Sequence, residues 1–188
     1  MTFLTPAMGG GEVQVKICFI GAGALGSTIG GTLAKGGADV WLIDPFQAHV
    51  DAINSHGLRI LEAGVESRVK VSASTSAADL GAIADLVIVL VKSYHTRDAI
   101  RAAASVIGPQ TIVMSLQNGL GHEDILAEEV GRDRVMAGKT YVGGVFLAPG
   151  HVHSGVLGKE TIIGELDGAL SPRAQRIADC FNAAGILT

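Results

Sequence analysis

An apolar run, Val15-Lys16-Ile17-Cys18-Phe19-Ile20, breaks directly into Gly21-Ala22-Gly23-Ala24-Leu25-Gly26 and then into small helix-forming residues. Few folds use that order. A short β-branched and aromatic run predicts a strand buried on both faces, as in parallel sheets. Gly21 can make the tight turn out of the strand, Gly23 leaves room for a pyrophosphate to approach the backbone, and Gly26 lets the next helix pack close to the sheet. Ala24 and Leu25 open that helix. Its N-terminus offers unpaired N–H groups and a partial positive charge to phosphates, so Gly21, Gly23, Ala24, Leu25 and Gly26 are the candidate cofactor-binding residues.

The context strengthens the motif, because glycine is common here (26 of 188 residues) and a bare triplet could be a glycine-rich turn. A second apolar stretch, Asp39-Val40-Trp41-Leu42-Ile43, ends in Asp44, 23 residues beyond Gly21. An acidic residue there can accept hydrogen bonds from an adenosine ribose. The alternative for Asp44 is a helix-capping residue before Pro45.

Composition narrows the class. Apolar residues make up 48% of the chain, charged residues 17% and aromatics 4%. Ala, Val, Ile, Leu and Gly must therefore build the core, which suits α/β layers packed through small side chains. A net charge of −4 without a basic run argues against nucleic acid. Two cysteines make no disulfide framework, and Cys18 reads as a small core residue. No metal-ligating pattern stands out. Residues 1–14 read as an N-terminal extension without a signal sequence, and no apolar run approaches a membrane span, so a soluble cytoplasmic protein is expected.

The remaining punctuation predicts a Rossmann-type, doubly wound α/β domain over residues 15–188, with a mainly parallel sheet and antiparallel edge strands. Helices are expected over about 25–35, 45–55, 96–106, 122–130 and 171–184. Pro45 falls in the first turn of the second, and Ser171 with Pro172 starts the last. Buried strands are expected at 86–91, 111–116 and 135–141. Segments 58–61 and 69–71 read as a strand pair with polar residues between them, and 72–76 as a polar loop. Residues 145–147 lead into a Pro149-Gly150 turn. Segments 151–158 and 161–164 read as two antiparallel edge strands, and 186–188 as the start of one more.

Ligands of such sheets lie beyond the C-terminal ends of the strands. That rule selects the glycine turn, Asp44, Lys92-Ser93-Tyr94-His95 and Gln117-Asn118-Gly119, all expected in one crevice. Lys92 ends the most apolar strand, where it can bind an anionic substrate or steer a carbonyl, or merely snorkel to solvent. Asn118-Gly119 also suits a plain turn. His95 and His122 lie near the crevice, and neither receives a catalytic role. His151 and His153 share a strand face without an evident third metal ligand, and read as a surface pair.

Together these pieces resemble the ketopantoate reductase family. The matching residues are Gly21-Ala22-Gly23-Ala24-Leu25-Gly26, Val91-Lys92, Gln117-Asn118-Gly119-Leu120-Gly121, Pro149-Gly150-His151-Val152-His153, Gly158 and Ile163-Gly164. The resemblance covers residues 15–188. It implies hydride transfer from a nicotinamide dinucleotide to a small 2-keto acid, 2-dehydropantoate, on the way to pantothenate and coenzyme A. It implies that the three glycines hold the pyrophosphate, while Lys92 and Asn118 lie beside the nicotinamide and substrate as the catalytic candidates.

Two features depart from the family pattern. The family norm is NADP(H), with a basic residue after the second strand, but no Arg or Lys stands between Trp41 and Gly57. A carboxylate repels a 2′-phosphate and welcomes a free ribose, so Asp44 favours NAD(H). Second, the family's helical C-terminal domain, with its catalytic lysine and substrate-binding glutamate, is expected to be absent. This chain alone is then expected to be inactive, and its general acid is unassigned. That domain carries much of the family's dimer contact. Self-association through the bared apolar face, as in a homodimer, is one expected outcome. The competing expectations are a nucleotide-sensing module without turnover and a reductase of another 2-keto acid.

Overall fold

A computed structural model describes residues 15–188, and the expected extension over residues 1–14 lies outside the described residues. The opening apolar run forms β1 (Lys16–Ile20), buried over its last four residues. After the glycine turn come α1 (Ala24–Lys35), β2 (Asp39–Ile43), α2 (Gln47–His56), β3 (Leu58–Glu62), β4 (Val65–Val69), β5 (Ser72–Ser74) and β6 (Leu86–Val89). The chain continues through α3 (Thr96–Ala102), β7 (Ile112–Ser115), α4 (His122–Val130), β8 (Val135–Thr140), β9 (Gly143–Ala148), β10 (His151–Gly155), β11 (Thr161–Glu165) and α5 (Pro172–Ala183).

Seven strands form the main sheet in the order β11-β8-β7-β6-β1-β2-β5. All neighbours are parallel except β11, which runs antiparallel to β8 at the edge. The chain winds outward from β1 through β2 to β5, then returns beside β1 at β6 and winds the other way. This is the expected doubly wound α/β sheet, with its switch point between β1 and β6. One apolar layer, including Cys18, Val87, Ile100 and Leu126, packs under α3 and α4. The other, including Phe19, Ile29, Leu42 and Phe181, gathers around α1 and α5.

A second, four-stranded sheet has the order β4-β3-β10-β9 and covers the far side of α1. The helix is therefore wedged between two sheets, and two glycines make that possible. A Cβ at Gly30 would come within 2.6 Å of Leu42 in the main sheet, and one at Gly31 within 2.6 Å of Leu58 in the second. Mid-helix glycine costs about 1 kcal/mol relative to alanine. The close approach of apolar side chains on both faces offsets it.

This second sheet is where local reading and structure part. The expected strand pair exists, but its partner is β4 at 65–69, joined to β3 by a two-residue turn with positive φ at Ala63 and Gly64. Glu66, Ser67 and Arg68, expected between strands, lie in β4 itself. Being an edge strand exposed along most of its length, it shows no apolar alternation. Residues 72–74, expected as loop, are the parallel edge strand β5, whose three small residues give no strand signal. β10 and β11 are strands but not partners: β10 sits between β3 and β9 in the second sheet, and β11 belongs to the main one. Residues 143–148 form the whole strand β9, which its glycines and solvent exposure disguise.

Helix bounds shift for local reasons. Pro45 precedes α2, because the Asp44 carboxylate takes the Phe46 N–H and leaves Phe46 as the cap. α3 ends at Ala102, and a 3-10 turn covers 104–106. The start of α5 is as expected, with the Ser171 hydroxyl accepting from the Ala174 N–H. Beyond it, the 186–188 segment makes one parallel bridge, Leu187 to Glu160.

Candidate functional site

The glycine turn has little freedom to be anything else. Gly21 has φ of +101°, and a Cβ there would lie 2.8 Å from the Leu90 carbonyl group and the Val91 nitrogen. A Cβ at Gly26 would lie 2.0 Å from the Gly21 carbonyl oxygen. Gly26 thus closes the turn on itself, and the close helix–sheet approach expected of it falls to Gly30. Gly23 differs from both, since a Cβ there would meet nothing within 4 Å among the described residues. Gly23 also caps α1 without any side-chain hydrogen bond. Open space beside an uncapped helix N-terminus has the shape and polarity that a diphosphate requires, so the residues present fit a dinucleotide.

The peptide groups of Ala22, between the two turn glycines, are held from outside the loop. Its N–H donates to Asp44 Oδ2 at 3.0 Å. Its carbonyl accepts from Ser27 Oγ at 2.6 Å and lies 2.9 Å from His49 Nε2. Asp44 Oδ1 takes the Phe46 N–H at 2.9 Å. Both carboxylate oxygens of Asp44 are thus engaged while further lone pairs stay open, because a carboxylate has about four acceptor sites. His49 is buried, and burial holds its pKa below the usual 6.5 despite the opposing field of Asp44.

Strand register gathers the other candidates at the same end of the sheet. Gly21 and Asp44 each follow a paired residue, Ile20 and Ile43. Lys92 and Asn118 each stand three residues beyond the parallel pair Val89 and Ser115. Both are exposed. Gln117 links their loops: its amide N–H groups donate to the Val91 carbonyl at 2.7 Å and to Thr96 Oγ1 at 2.9 Å, while its oxygen accepts from Ser115 Oγ. Buried His122 holds the Asn118 carbonyl, with Nε2 at 3.0 Å.

The roles of His49, His122 and Gln117 escape sequence reasoning. Each acts through a backbone group, and such contacts leave no spacing signature.

A cleft of about 390 Å³ opens beside the glycine turn, lined by Gly21, Ile43, Pro45, Ser76, His95 and Ala99 among others. Among the described residues its charged or titratable lining is His95 and Asp98, with no Arg or Lys. A groove of about 450 Å³ flanks Asn118 on the other side, bordered by Glu123, Lys139 and Thr140. A larger hollow of about 790 Å³ lies at the opposite, N-terminal ends of β2 and β5, away from all the candidate residues. His151 lies with its Nε2 3.3 Å from Glu66, and His153 is exposed. Cys18 is a core residue whose thiol burial pushes up to about 12.

These features define a Rossmann-type domain. Within that class the chain belongs to the ketopantoate reductase family: the family model "Ketopantoate reductase PanE/ApbA" matches residues 17–168. A 2-dehydropantoate 2-reductase from Halobacterium salinarum is 38% identical over 178 residues, covering 93% of this chain and 57% of that protein. The structure of a PanE/ApbA family ketopantoate reductase from Ralstonia eutropha aligns with a TM-score of 0.80 at 36% identity, covering 92% of this chain and 55% of that one. The ternary structure of D-mandelate dehydrogenase with NADH and anilino(oxo)acetate aligns at 0.84 and 29% identity, again over 92% and 55%. The chain therefore spans little more than half the length of these relatives.

Proposed function

We propose that this chain is the cofactor-binding half of a nicotinamide-dependent 2-keto acid reductase of the 2-dehydropantoate 2-reductase kind. The observation that carries the reading is the open space over Gly23 at the uncapped start of α1, at the sheet's switch point. In it, the N–H groups of Ala24, Leu25 and Gly26 hold the diphosphate, with Gly21 and Gly23 leaving the room. Asp44 accepts from the adenosine ribose while keeping Ala22 in place. Among the described residues no Arg or Lys lines the cleft beside it to meet a 2′-phosphate, which supports NAD(H) over NADP(H).

When bound, the reduced nicotinamide supplies a hydride to the carbonyl carbon of the keto acid. Negative charge then grows on the carbonyl oxygen, and Lys92 and Asn118, on adjacent loops, are the donors placed to stabilise it. Gln117 keeps those loops in register. No proton donor is assigned within residues 15–188, so turnover by this chain on its own is not expected.

The test is NADH fluorescence on titration with the chain. An increase that ADP-ribose reverses supports the reading. No change at saturating protein overturns it.

A further inference from the structure

We propose that His49 is a positioning residue for the cofactor loop, fixing the Ala22 carbonyl and tying the loop to the second sheet at Gly150. The proposal rests on the dinucleotide reading above. Its geometry is independent of that reading.

His49 lies in the first turn of α2 with 1% of its surface exposed. Its Nδ1 is 2.8 Å from the Gly150 nitrogen. A backbone N–H can only donate, so Nδ1 accepts and carries no proton. The proton of the neutral ring therefore sits on Nε2, which faces the Ala22 carbonyl at 2.9 Å, a group that can only accept. Ser27 Oγ, 3.0 Å from the same nitrogen, donates to that carbonyl as well. One imidazole thus joins three parts of the fold: the glycine turn, the first turns of α1, and the turn between β9 and β10. Phe146 of β9 packs on the ring with centroids 5.0 Å apart.

The consequence concerns the cofactor. With Asp44 on the Ala22 N–H and His49 on its carbonyl, both peptide planes flanking Ala22 are set before any ligand arrives. The N–H groups that face the diphosphate then need no reordering on binding. The arrangement works only with a neutral ring, because a second proton on Nδ1 would point at another donor. Asp44 is the charged group facing His49. Its partners from α1 (Ser27), from β9 (Phe146) and from the turn before β10 (Gly150) are uncharged.

The experiment measures NADH and NADPH affinity by fluorescence for the wild type, His49→Gln and His49→Asn, between about pH 5.5 and 8. A glutamine amide reaches the place of Nε2 and can still donate to Ala22. An asparagine reaches only the place of Nδ1. Wild-type affinity should fall towards the acid end. His49→Gln should stay within about threefold of the wild type at the upper pH and lose the acid dependence. His49→Asn should bind roughly tenfold more weakly, the loss of one loop hydrogen bond. Should both variants fail to fold, the imidazole ¹⁵N shifts of the wild type decide instead: the Nε2–H tautomer at neutral pH supports the proposal, and an Nδ1–H tautomer or a cation overturns it. Equal affinity and equal pH dependence in all three proteins also overturns it, while leaving the dinucleotide reading intact. Wild-type protein that binds neither nucleotide overturns both.

Discussion

Asp44 accepts a 3.0 Å hydrogen bond from the Ala22 N–H, so the acidic end of β2 holds the turn that follows β1. The residue expected to meet the ribose is also part of the scaffold of the phosphate site. These two roles predict different behaviour for different substitutions.

Asp44→Ala removes both and leaves the Ala22 N–H unpaired. NADH affinity should drop roughly tenfold or more, with a stability loss on the order of 1–2 kcal/mol. Asp44→Asn keeps one acceptor oxygen, for the Ala22 or the Phe46 N–H but not both, and should recover part of the stability. Either change should narrow the preference for NADH over NADPH, because the repulsive charge is gone. Binding constants for both nucleotides alongside urea unfolding check this, and unchanged binding of both would remove Asp44 from the site.

The three glycines of the turn should separate cleanly. Gly23→Val should retain the fold, since nothing lies within 4 Å of a Cβ there, and should abolish cofactor binding by filling that space. Gly26→Ala should instead lose several kcal/mol of stability or fail to fold, because its Cβ would collide with the Gly21 carbonyl. Thermal unfolding followed by circular dichroism distinguishes the two. A destabilised Gly23→Val would contradict the geometry.

Lys92 and Asn118 stand at equivalent heights on neighbouring loops, three residues past a register pair. Lys92→Ala should weaken binding of a 2-keto acid in the presence of NADH at least several-fold, and leave ADP binding unchanged. Equal losses for both ligands would assign Lys92 to the phosphates or to the fold.

Acid sensitivity should depend partly on Glu165 in β11. Its carboxylate takes two hydrogen bonds from Arg173 of α5 and one from Ser171, and the Arg173 contact holds its pKa below the usual 4.5. A depressed carboxylate pKa contributes stability above the unfolded value, and that contribution is lost as pH falls from there through the folded one. Arg173→Ala should cost on the order of 1 kcal/mol at neutral pH, a figure limited by the partial exposure of Arg173. It should also flatten the decline below about pH 4.5. Urea midpoints across that range test the sign.

The central strands of the main sheet were legible because they are buried on both faces, whereas its short edge strand β5 was not. Ile17 to Ile20 and Leu86 to Val89 read as unbroken apolar runs, and Gly21 marks the end of the first. Site residues at those ends inherited the same clarity, which is why Gly21, Asp44, Lys92 and Asn118 could be placed. The second sheet was not legible. Its strand β4 is exposed, β9 holds two glycines, and β10 pairs with β3 from about half the chain length away, His151 opposite Arg59. The existence of that sheet was hinted at by Gly30-Gly31, a pair with no local purpose in a helix and a clear one between two sheets. His49 reads locally as one more polar residue in an amphipathic helix. Only the long-range contacts with Ala22 and Gly150 give it a task.

The most direct measurement is calorimetric titration of residues 1–188 with NADH and, separately, with NADPH. Saturable one-to-one binding of NADH, tighter than that of NADPH, is the expected result. Tighter NADPH binding would contradict the role given to Asp44, and heat from neither nucleotide would contradict the site itself.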